Sequence, residues 1–101
     1  MENINKLRKF WNKKKVFITG HTGFKGSWLC IILGYLKSNI DGYALKPEKN
    51  SLFNKAQINK LLASNTYSDI NNITELKKKL KKSKPQIVFH LAAQSLVIKS
   101  I

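Results

Sequence analysis

Short apolar runs alternate along the chain with segments of helical periodicity, and this alternation predicts a parallel sheet with helical connections. Residues 16–18 and 87–89 are β-branched and aromatic runs with the composition of strands buried on both faces. Residues 40–45 and 65–70 predict two further strands between them. Residues 26–37 place apolar side chains at helical spacing over a broad face, so a helix is expected between the first two strands.

Two further helical patterns complete the set of predicted elements. Residues 50–64 are loosely helical, and another segment begins at Asn72, a predicted N-cap with Glu75 as its capping partner. Pro85 ends that segment. With right-handed crossovers, the pattern predicts an α/β fold, a Rossmann-like half of a doubly wound parallel sheet with strand order 3-2-1-4, truncated after the fourth strand. Half a sheet would leave that strand with an unpaired edge through which another chain could associate.

A glycine motif joins the first strand to the first predicted helix of this sheet. Gly20, Gly23 and Gly26 follow the strand with G-x-x-G-x-x-G spacing. The N–H groups of a first helical turn are unpaired and the helix dipole adds partial positive charge, so a strand, a Gly-rich turn and a helix can bind a pyrophosphate. We assign Gly20 to the turn, Gly23 to close approach of backbone and phosphate, and Gly26 to packing of the helix on the sheet.

The composition is that of one small globular domain with a large excess of positive charge. The 101 residues are 43% hydrophobic and carry a formal net charge of +14, which raises polyanion binding as an alternative, supported by the lysine run at residues 77–82. All the basic residues except Arg8 are lysines, whereas base recognition and bidentate phosphate contacts favour arginine. A bias towards Lys, Asn and Ile accounts for the charge better, so nucleic acid is not the expected partner.

The sequence disfavours several other classes of site and location. Cys30 is the sole cysteine, so an intramolecular disulfide is impossible, and the two histidines and five acidic residues are too scattered for a metal site. The longest uncharged apolar stretch, residues 26–36, is shorter than the roughly 20 residues that span a bilayer. Residues 1–12 form a basic and aromatic leader without signal-peptide character, expected to pack its aromatics at the start of the first strand. The expected location is the cytoplasm, and residues 13–101 are expected to form a partial Rossmann domain.

The glycine motif also carries a family resemblance. Its Gly-x-x-Gly-Phe-x-Gly pattern resembles the extended, sugar-nucleotide-modifying branch of the short-chain dehydrogenase/reductase superfamily. Residues 19–29, which read Thr-Gly-His-Thr-Gly-Phe-Lys-Gly-Ser-Trp-Leu, resemble the N-terminus of the CDP-glucose 4,6-dehydratase family. The resemblance implies an NAD(P)-binding Rossmann fold in which the cofactor contacts Gly20, Thr22, Gly23, Phe24, Lys25 and Gly26.

The end of the second predicted strand bears on the choice between NAD and NADP. An acidic residue there favours the ribose hydroxyls of NAD, and a cation favours the 2′-phosphate of NADP. Asp41 lies near the start of the strand and is expected to point elsewhere, whereas Lys46 occupies the position that would contact the ribose. Lys46 alone therefore leans towards NADP. The resemblance of residues 42–47 to the CDP-glucose 4,6-dehydratase family implies NAD, and both cofactors stay open.

The resemblance assigns two further stretches to the cofactor. In the superfamily an Asp-hydrophobic pair after the third strand contacts the adenine, and Asp69 and Ile70 match it. The string His-Leu-Ala-Ala-Gln resembles the segment beside the pyrophosphate and the nicotinamide ribose. Neither His21 nor His90 is expected to be catalytic. The residues that the second match assigns to the cofactor are Leu91, Ala92, Ala93 and Gln94.

The residues that would carry out the family's chemistry are missing from this sequence. The superfamily abstracts a proton with a Tyr whose partner Lys lies four residues on, but the residues four after Tyr35, Tyr43 and Tyr67 are Asn, Pro and Asn. We therefore predict the N-terminal NAD(P)-binding portion of a CDP-glucose 4,6-dehydratase-like lyase, inactive alone and without the substrate domain, so that CDP-glucose would bind only to a full-length protein. The alternatives are a fragment of another sugar-nucleotide dehydratase or epimerase, and a small basic polyanion-binding protein.

Overall fold

The computed structural model describes residues 2–92, which form a four-stranded, all-parallel sheet with helical connections. The strand order is β3-β2-β1-β4, which confirms the predicted 3-2-1-4 arrangement. The elements in chain order are α1 (Glu2–Trp11), β1 (Lys15–Thr19), α2 (Phe24–Tyr35), β2 (Asn39–Ala44), α3 (Leu52–Lys55), a 3-10 helix (Ile58–Leu61), β3 (Ser64–Tyr67), α4 (Ile73–Ser83) and β4 (Ile87–His90).

The main core lies between β1 and α2. Alternate residues of a central strand face opposite sides of the sheet, so β1 also contributes buried side chains to the other side. Val16 and Ile18 are fully buried on one face, in a cluster that includes Cys30 of α2. Phe17 and Tyr43 are buried together, with their ring centroids 6.2 Å apart. Each such side chain contributes about 1.5–3 kcal/mol by leaving water. Because β1 is covered on both faces, its carboxyl end, where the glycine motif starts, has a fixed position.

Helix α2 begins at Phe24, two residues before the predicted start. Gly23 has an extended conformation (φ −77°, ψ 173°) and acts as the N-cap, so Phe24 and Lys25 already belong to the first turn. The glycine motif is therefore a short turn of three residues after Gly20, followed at once by a helix. This difference moves the free N–H groups of the helix closer to the end of β1.

Strand β4 departs from the predicted fully buried strand. Ile87 and Phe89 are partly buried, but Val88 is 51% exposed and His90 is exposed. Within the described chain β4 pairs only with β1, with Phe17 opposite Val88. Successive side chains of a strand point to opposite faces of the sheet, so the exposure of Val88 and His90 shows that one face of β4 is not covered within the described chain.

The N-terminal leader forms helix α1, which the sequence pattern did not predict. Trp11 at its end stacks on Phe89 of β4, with centroids 6.2 Å apart, so one aromatic side chain reaches the sheet. Leu7 and Phe10 remain about half exposed, at 48% and 53%. Trp11 also packs against the core cluster, and the Lys14 ammonium, just before β1, lies 4.2 Å from the centroid of the Phe10 ring. None of the helices in residues 2–92 is long and apolar enough to cross a membrane.

Helix α4 has the cap that the sequence predicts. The Asn72 side-chain oxygen accepts a hydrogen bond from the Glu75 backbone N–H at 3.1 Å. At the other end of α4, the Ser83 hydroxyl donates to Asp41 at 2.5 Å, and the Ser64 hydroxyl donates to the same carboxylate at 2.7 Å. Asp41 therefore joins β2 to β3 and α4, which agrees with the expectation that it points away from a cofactor.

Candidate functional site

The carboxyl ends of β1, β2 and β3 enclose a hollow of about 170 Å³ beside the glycine motif. Ligands of open parallel sheets bind at such strand ends, because the loops that follow neighbouring strands meet there. We call it the Asp69 hollow. It brings together six of the residues predicted to bind the cofactor: Gly20, Thr22, Gly23, Asp69, Ile70 and Ala92.

Gly20 allows β1 to turn and the chain after β4 to approach it. Its φ of +82° lies in the left-handed region that L side chains rarely adopt. A Cβ at this position would also lie 2.5 Å from the Ala92 backbone nitrogen and 2.6 Å from the Leu91 carbonyl carbon. Both contacts are with backbone atoms that cannot move aside as a side chain could. Gly20 is thus required by the protein's own geometry.

Packing among the described residues requires glycine at position 26 but not at position 23. A Cβ on Gly26 would lie 2.6 Å from the Cα of His21, so only glycine lets α2 pack this closely on the turn. A Cβ on Gly23 would meet only the Gly20 carbonyl oxygen, at an ordinary 3.5 Å, and the φ of Gly23 suits any residue. Packing within the described chain gives no reason for glycine at position 23. The space beside it fits a group that approaches the backbone from outside.

The N-terminus of α2 offers backbone donors to such a group. No side chain caps the helix, whereas Ser51 caps α3 and Asn72 caps α4. In the first turn of α2, the N–H groups of Phe24, Lys25 and Gly26 have no intrahelical acceptor. These donors and the positive end of the helix dipole together favour an anion at this position. The uncapped helix and the open space at Gly23 fit the pyrophosphate of a dinucleotide.

A second hollow of about 380 Å³ adjoins the first one and contains Lys46. We call it the Lys46 hollow; Thr22 and Gly23 line both hollows. The Thr22 hydroxyl donates to the Leu45 carbonyl at 3.0 Å, which fixes the glycine turn against the end of β2. Phe24, 71% exposed, and Lys46 lie on this side of the turn. Lys46 is therefore placed beside the turn and not on the core face of β2.

Asp69 is held in place through both its backbone and its side chain. The Tyr43 hydroxyl donates to the Asp69 carbonyl at 3.3 Å, and the Asn71 N–H donates to one Asp69 carboxylate oxygen at 2.8 Å. The Asp69 side chain is exposed and Ile70 is partly buried, both beside the Asp69 hollow. A carboxylate and an apolar side chain thus lie together. A purine base can donate a hydrogen bond from its edge to the carboxylate and can pack its face on the apolar side chain.

Some of the predicted site residues lie elsewhere. Lys25 is exposed on the first turn of α2 and lines neither hollow. Leu91 packs against the core cluster, and its N–H donates to the Thr19 carbonyl at 2.8 Å. Ala93 and Gln94 lie outside the described residues. Sequence reasoning missed residues at the carboxyl ends of β2 and β3, although these ends lie on the same edge of the parallel sheet as the end of β1: Ala44, Leu45 and Ser68.

The two histidines have different environments, and neither lines the two hollows. His21 is fully buried although it belongs to the glycine turn, and its Nε2 lies 2.6 Å from the Asn65 side-chain oxygen. Burial is the main cause that lowers the pKa of His21, against the opposing hydrogen bonds of Asn65 and the Tyr43 backbone. His90 is exposed, with its Nδ1 2.7 Å from the Thr19 hydroxyl. His21 therefore has a structural environment, not that of a general base in the cleft.

Comparison with known proteins identifies the family. The family model described as GDP-mannose 4,6 dehydratase matches residues 17–101, which include the glycine motif, the last three residues of β1 and the other three strands. The chain belongs to this family. The CDP-glucose 4,6-dehydratase of Salmonella typhimurium (strain LT2) is 46% identical to this chain over 91 residues. The alignment covers 89% of this chain and 25% of that protein, so the chain spans about a quarter of its relative.

A solved structure supports the fold of this family member. A crystal structure of a provisionally assigned epimerase from Burkholderia cenocepacia J2315 superimposes with a TM-score of 0.62. The match covers 87% of this chain and 28% of that chain, at 21% sequence identity. At this level of identity the comparison concerns the fold alone, and it confirms the Rossmann-like α/β arrangement.

Proposed function

We propose that this chain is the NAD(P)-binding N-terminal part of a CDP-glucose 4,6-dehydratase-like sugar-nucleotide enzyme. The observation that carries the proposal is the uncapped N-terminus of α2 behind Gly23, a glycine that the chain's own packing does not require. The 46% identity to a CDP-glucose 4,6-dehydratase supports the sugar nucleotide. Related dehydratases and epimerases with other sugar nucleotides are the alternatives within the same class.

In this proposal, different residues around the cleft contact different parts of the dinucleotide. The backbone N–H groups at the start of α2 bind the pyrophosphate, with Gly23 leaving room for it. Asp69 accepts a hydrogen bond from the adenine amino group, and Ile70 packs on the ring. Lys46 contacts the adenosine ribose, which permits NADP as well as NAD. Ala92, which follows β4 and lines the same hollow, lies beside the pyrophosphate in this proposal.

The bound nicotinamide would accept a hydride from the sugar and later return it. What this chain supplies is binding and orientation, because its sequence contains no Tyr-x-x-x-Lys pair to move the hydroxyl proton. We therefore propose that the 101-residue chain binds cofactor without turning over CDP-glucose. The catalytic proton transfers and most sugar contacts belong to the part of the relatives that this chain does not span.

The test is to titrate the chain with NAD, with NADP and with duplex DNA, and to measure binding by calorimetry. We expect saturable binding of NAD or NADP that Gly23→Asp abolishes, because the new carboxylate fills the open space and repels the pyrophosphate. Asn59→Asp is the matched control, because it adds the same carboxylate at an exposed residue that lines neither hollow. Absence of dinucleotide binding by a folded chain would refute the proposal. DNA binding with a steep salt dependence would favour the polyanion-binding alternative, whose main support is the exposed lysines of α4.

A further inference from the structure

His21 interrupts the glycine turn with a side chain that points into the protein. The residue is 0% exposed, whereas Thr22 is partly buried and Gly23 is exposed. Its imidazole ring lies over β2 at Gly42, where a Cβ would come within 2.5 Å of the ring atoms Cδ2 and Nε2. The glycine in the middle of β2 therefore makes room for the ring. A residue of the glycine turn is thus anchored in the interior of the domain.

Two side chains from other elements hold the ring in this place. The Asn65 side-chain oxygen on β3 lies 2.6 Å from His21 Nε2, and Phe53 of α3 meets the ring edge-on with a centroid distance of 5.3 Å. Asn65 is itself oriented, because its amide nitrogen donates to the Tyr67 hydroxyl at 3.2 Å. With the Asn65 nitrogen used in this way, its oxygen faces the ring. His21 Nε2 is then the protonated nitrogen and the donor.

The environment of the ring favours the neutral imidazole. Its neighbours on β2, β3 and α3 are Gly42 and the Tyr43 backbone, Asn65 and Phe53, and none of these groups carries a charge. The other ring nitrogen, Nδ1, is buried and makes no hydrogen bond of normal geometry to a described residue. Burial lowers the pKa of His21 from 6.5. A neutral ring with one fixed donor can hold a single orientation across the physiological pH range.

The backbone of His21 connects this anchor to the groups that face the cleft. The Ser27 hydroxyl donates to the His21 carbonyl at 3.0 Å, which joins the turn to α2. On the preceding side, the Gly20 N–H donates to the Tyr43 carbonyl at 2.9 Å. On the following side come Thr22 and Gly23, which line both hollows. A rotation of the ring would therefore displace the turn on which the N–H donors of α2 depend.

We propose that His21 is a positioning residue, and that its hydrogen bond to Asn65 sets the dinucleotide affinity of the glycine turn without contact with the dinucleotide. The inference rests on the proposed function of the cleft. It extends that function to β3, whose Asn65 lies outside both hollows. The affinity of the site would then depend on a hydrogen bond between the turn after β1 and a strand two places away from β1 in the sheet.

The test compares three variants of the 101-residue chain by NMR and by NAD titration. Asn65→Leu removes the acceptor at similar volume, Asn65→Asp keeps an acceptor in the same place, and Asn59→Leu is the control at an exposed asparagine. We expect Asn65→Leu to shift the amide resonances of Thr22, Gly23 and Phe24 and to weaken NAD binding by about fivefold, the effect of one net hydrogen bond. Asn65→Asp should restore most of both properties.

Wild-type values for Asn65→Leu in both measurements would overturn the inference, as would equal effects of the Asn59 control. If Asn65→Leu does not fold, the ¹⁵N spectrum of the wild-type imidazole decides the question. An Nε2–H tautomer with a pKa below 6.5 supports the inference, and an Nδ1–H tautomer or ordinary titration overturns it. If the wild-type chain does not bind NAD, the proposed function fails, whereas the amide shifts of the turn still decide whether Asn65 positions it.

Discussion

Alanine substitutions at the three glycines of the turn should separate folding from binding. At Gly23 the added Cβ meets one atom at 3.5 Å with φ at −77°, so we expect the free energy of unfolding to change by less than about 1 kcal/mol. At Gly26 the Cβ would lie 2.6 Å from the His21 Cα, and the loss should be about 1–3 kcal/mol. At Gly20 the same kind of overlap adds to a φ of +82°, which itself costs roughly 1–2 kcal/mol.

Dinucleotide affinity should follow a different order from stability. A methyl group at position 23 occupies the space through which a phosphate would reach the N–H donors of α2. Loss of even one hydrogen bond to a charged group is worth about 1.5–3 kcal/mol, so Gly23→Ala should weaken NAD binding at least about tenfold. Urea unfolding gives the stability, and calorimetric titration gives the affinity. A Gly23→Ala chain that binds NAD as tightly as the wild type, or that is as unstable as Gly26→Ala, would refute the reasoning.

Three further predictions concern other parts of the chain. Lys46→Ala should weaken binding of NADP by up to about fivefold more than that of NAD, measured by calorimetry, and equal losses would argue against a contact with the 2′-phosphate. Burial raises the pKa of the Cys30 thiol to about 12 from 9.0, so the unfolded chain loses this proton first and stability should fall as pH rises from 9.0 to about 12. Urea unfolding should show a smaller fall in Cys30→Ala, and the native thiol should resist a thiol reagent at about pH 8 until denaturant is added. Asn72→Ala should lower the free energy of unfolding by about 1 kcal/mol through loss of the α4 cap, whereas Asn59→Ala should not.

The sheet order could be predicted because each strand has a local signature. The buried run at residues 16–18 and the Gly-rich turn after it mark the central strand, and right-handed crossovers leave few alternatives for its neighbours. The start of α2 could not be placed as well. Phe24 and Lys25 lie between two glycines, so sequence patterns favour a loop there, and only the extended conformation of Gly23 shows where the helix begins.

The hydrophobic periodicity of the sequence cannot predict contacts between residues that are far apart along the chain. Val88 belongs to a continuous apolar run, yet it is exposed because no described element covers its face of β4. The anchor at His21 depends on the absence of a side chain at Gly42 and on an amide at Asn65, and nothing in the local sequence links these positions. Strand order fixes which loops are neighbours, which is why residues from separate segments that the sequence assigned to the cofactor line one hollow; their contact with a cofactor stays a prediction.

The close approach of Gly20 and Ala92 has a consequence for biosynthesis. The glycine motif leaves the ribosome early, but the surface that completes the cleft comes from residues after β4, which are translated last among those described. A nascent chain that ends before β4 has the fingerprint of a nucleotide-binding protein but lacks Ala92 and the strand that pairs with β1 on this side. Retention of such chains on an immobilised dinucleotide should therefore begin only when β4 has emerged and docked beside β1.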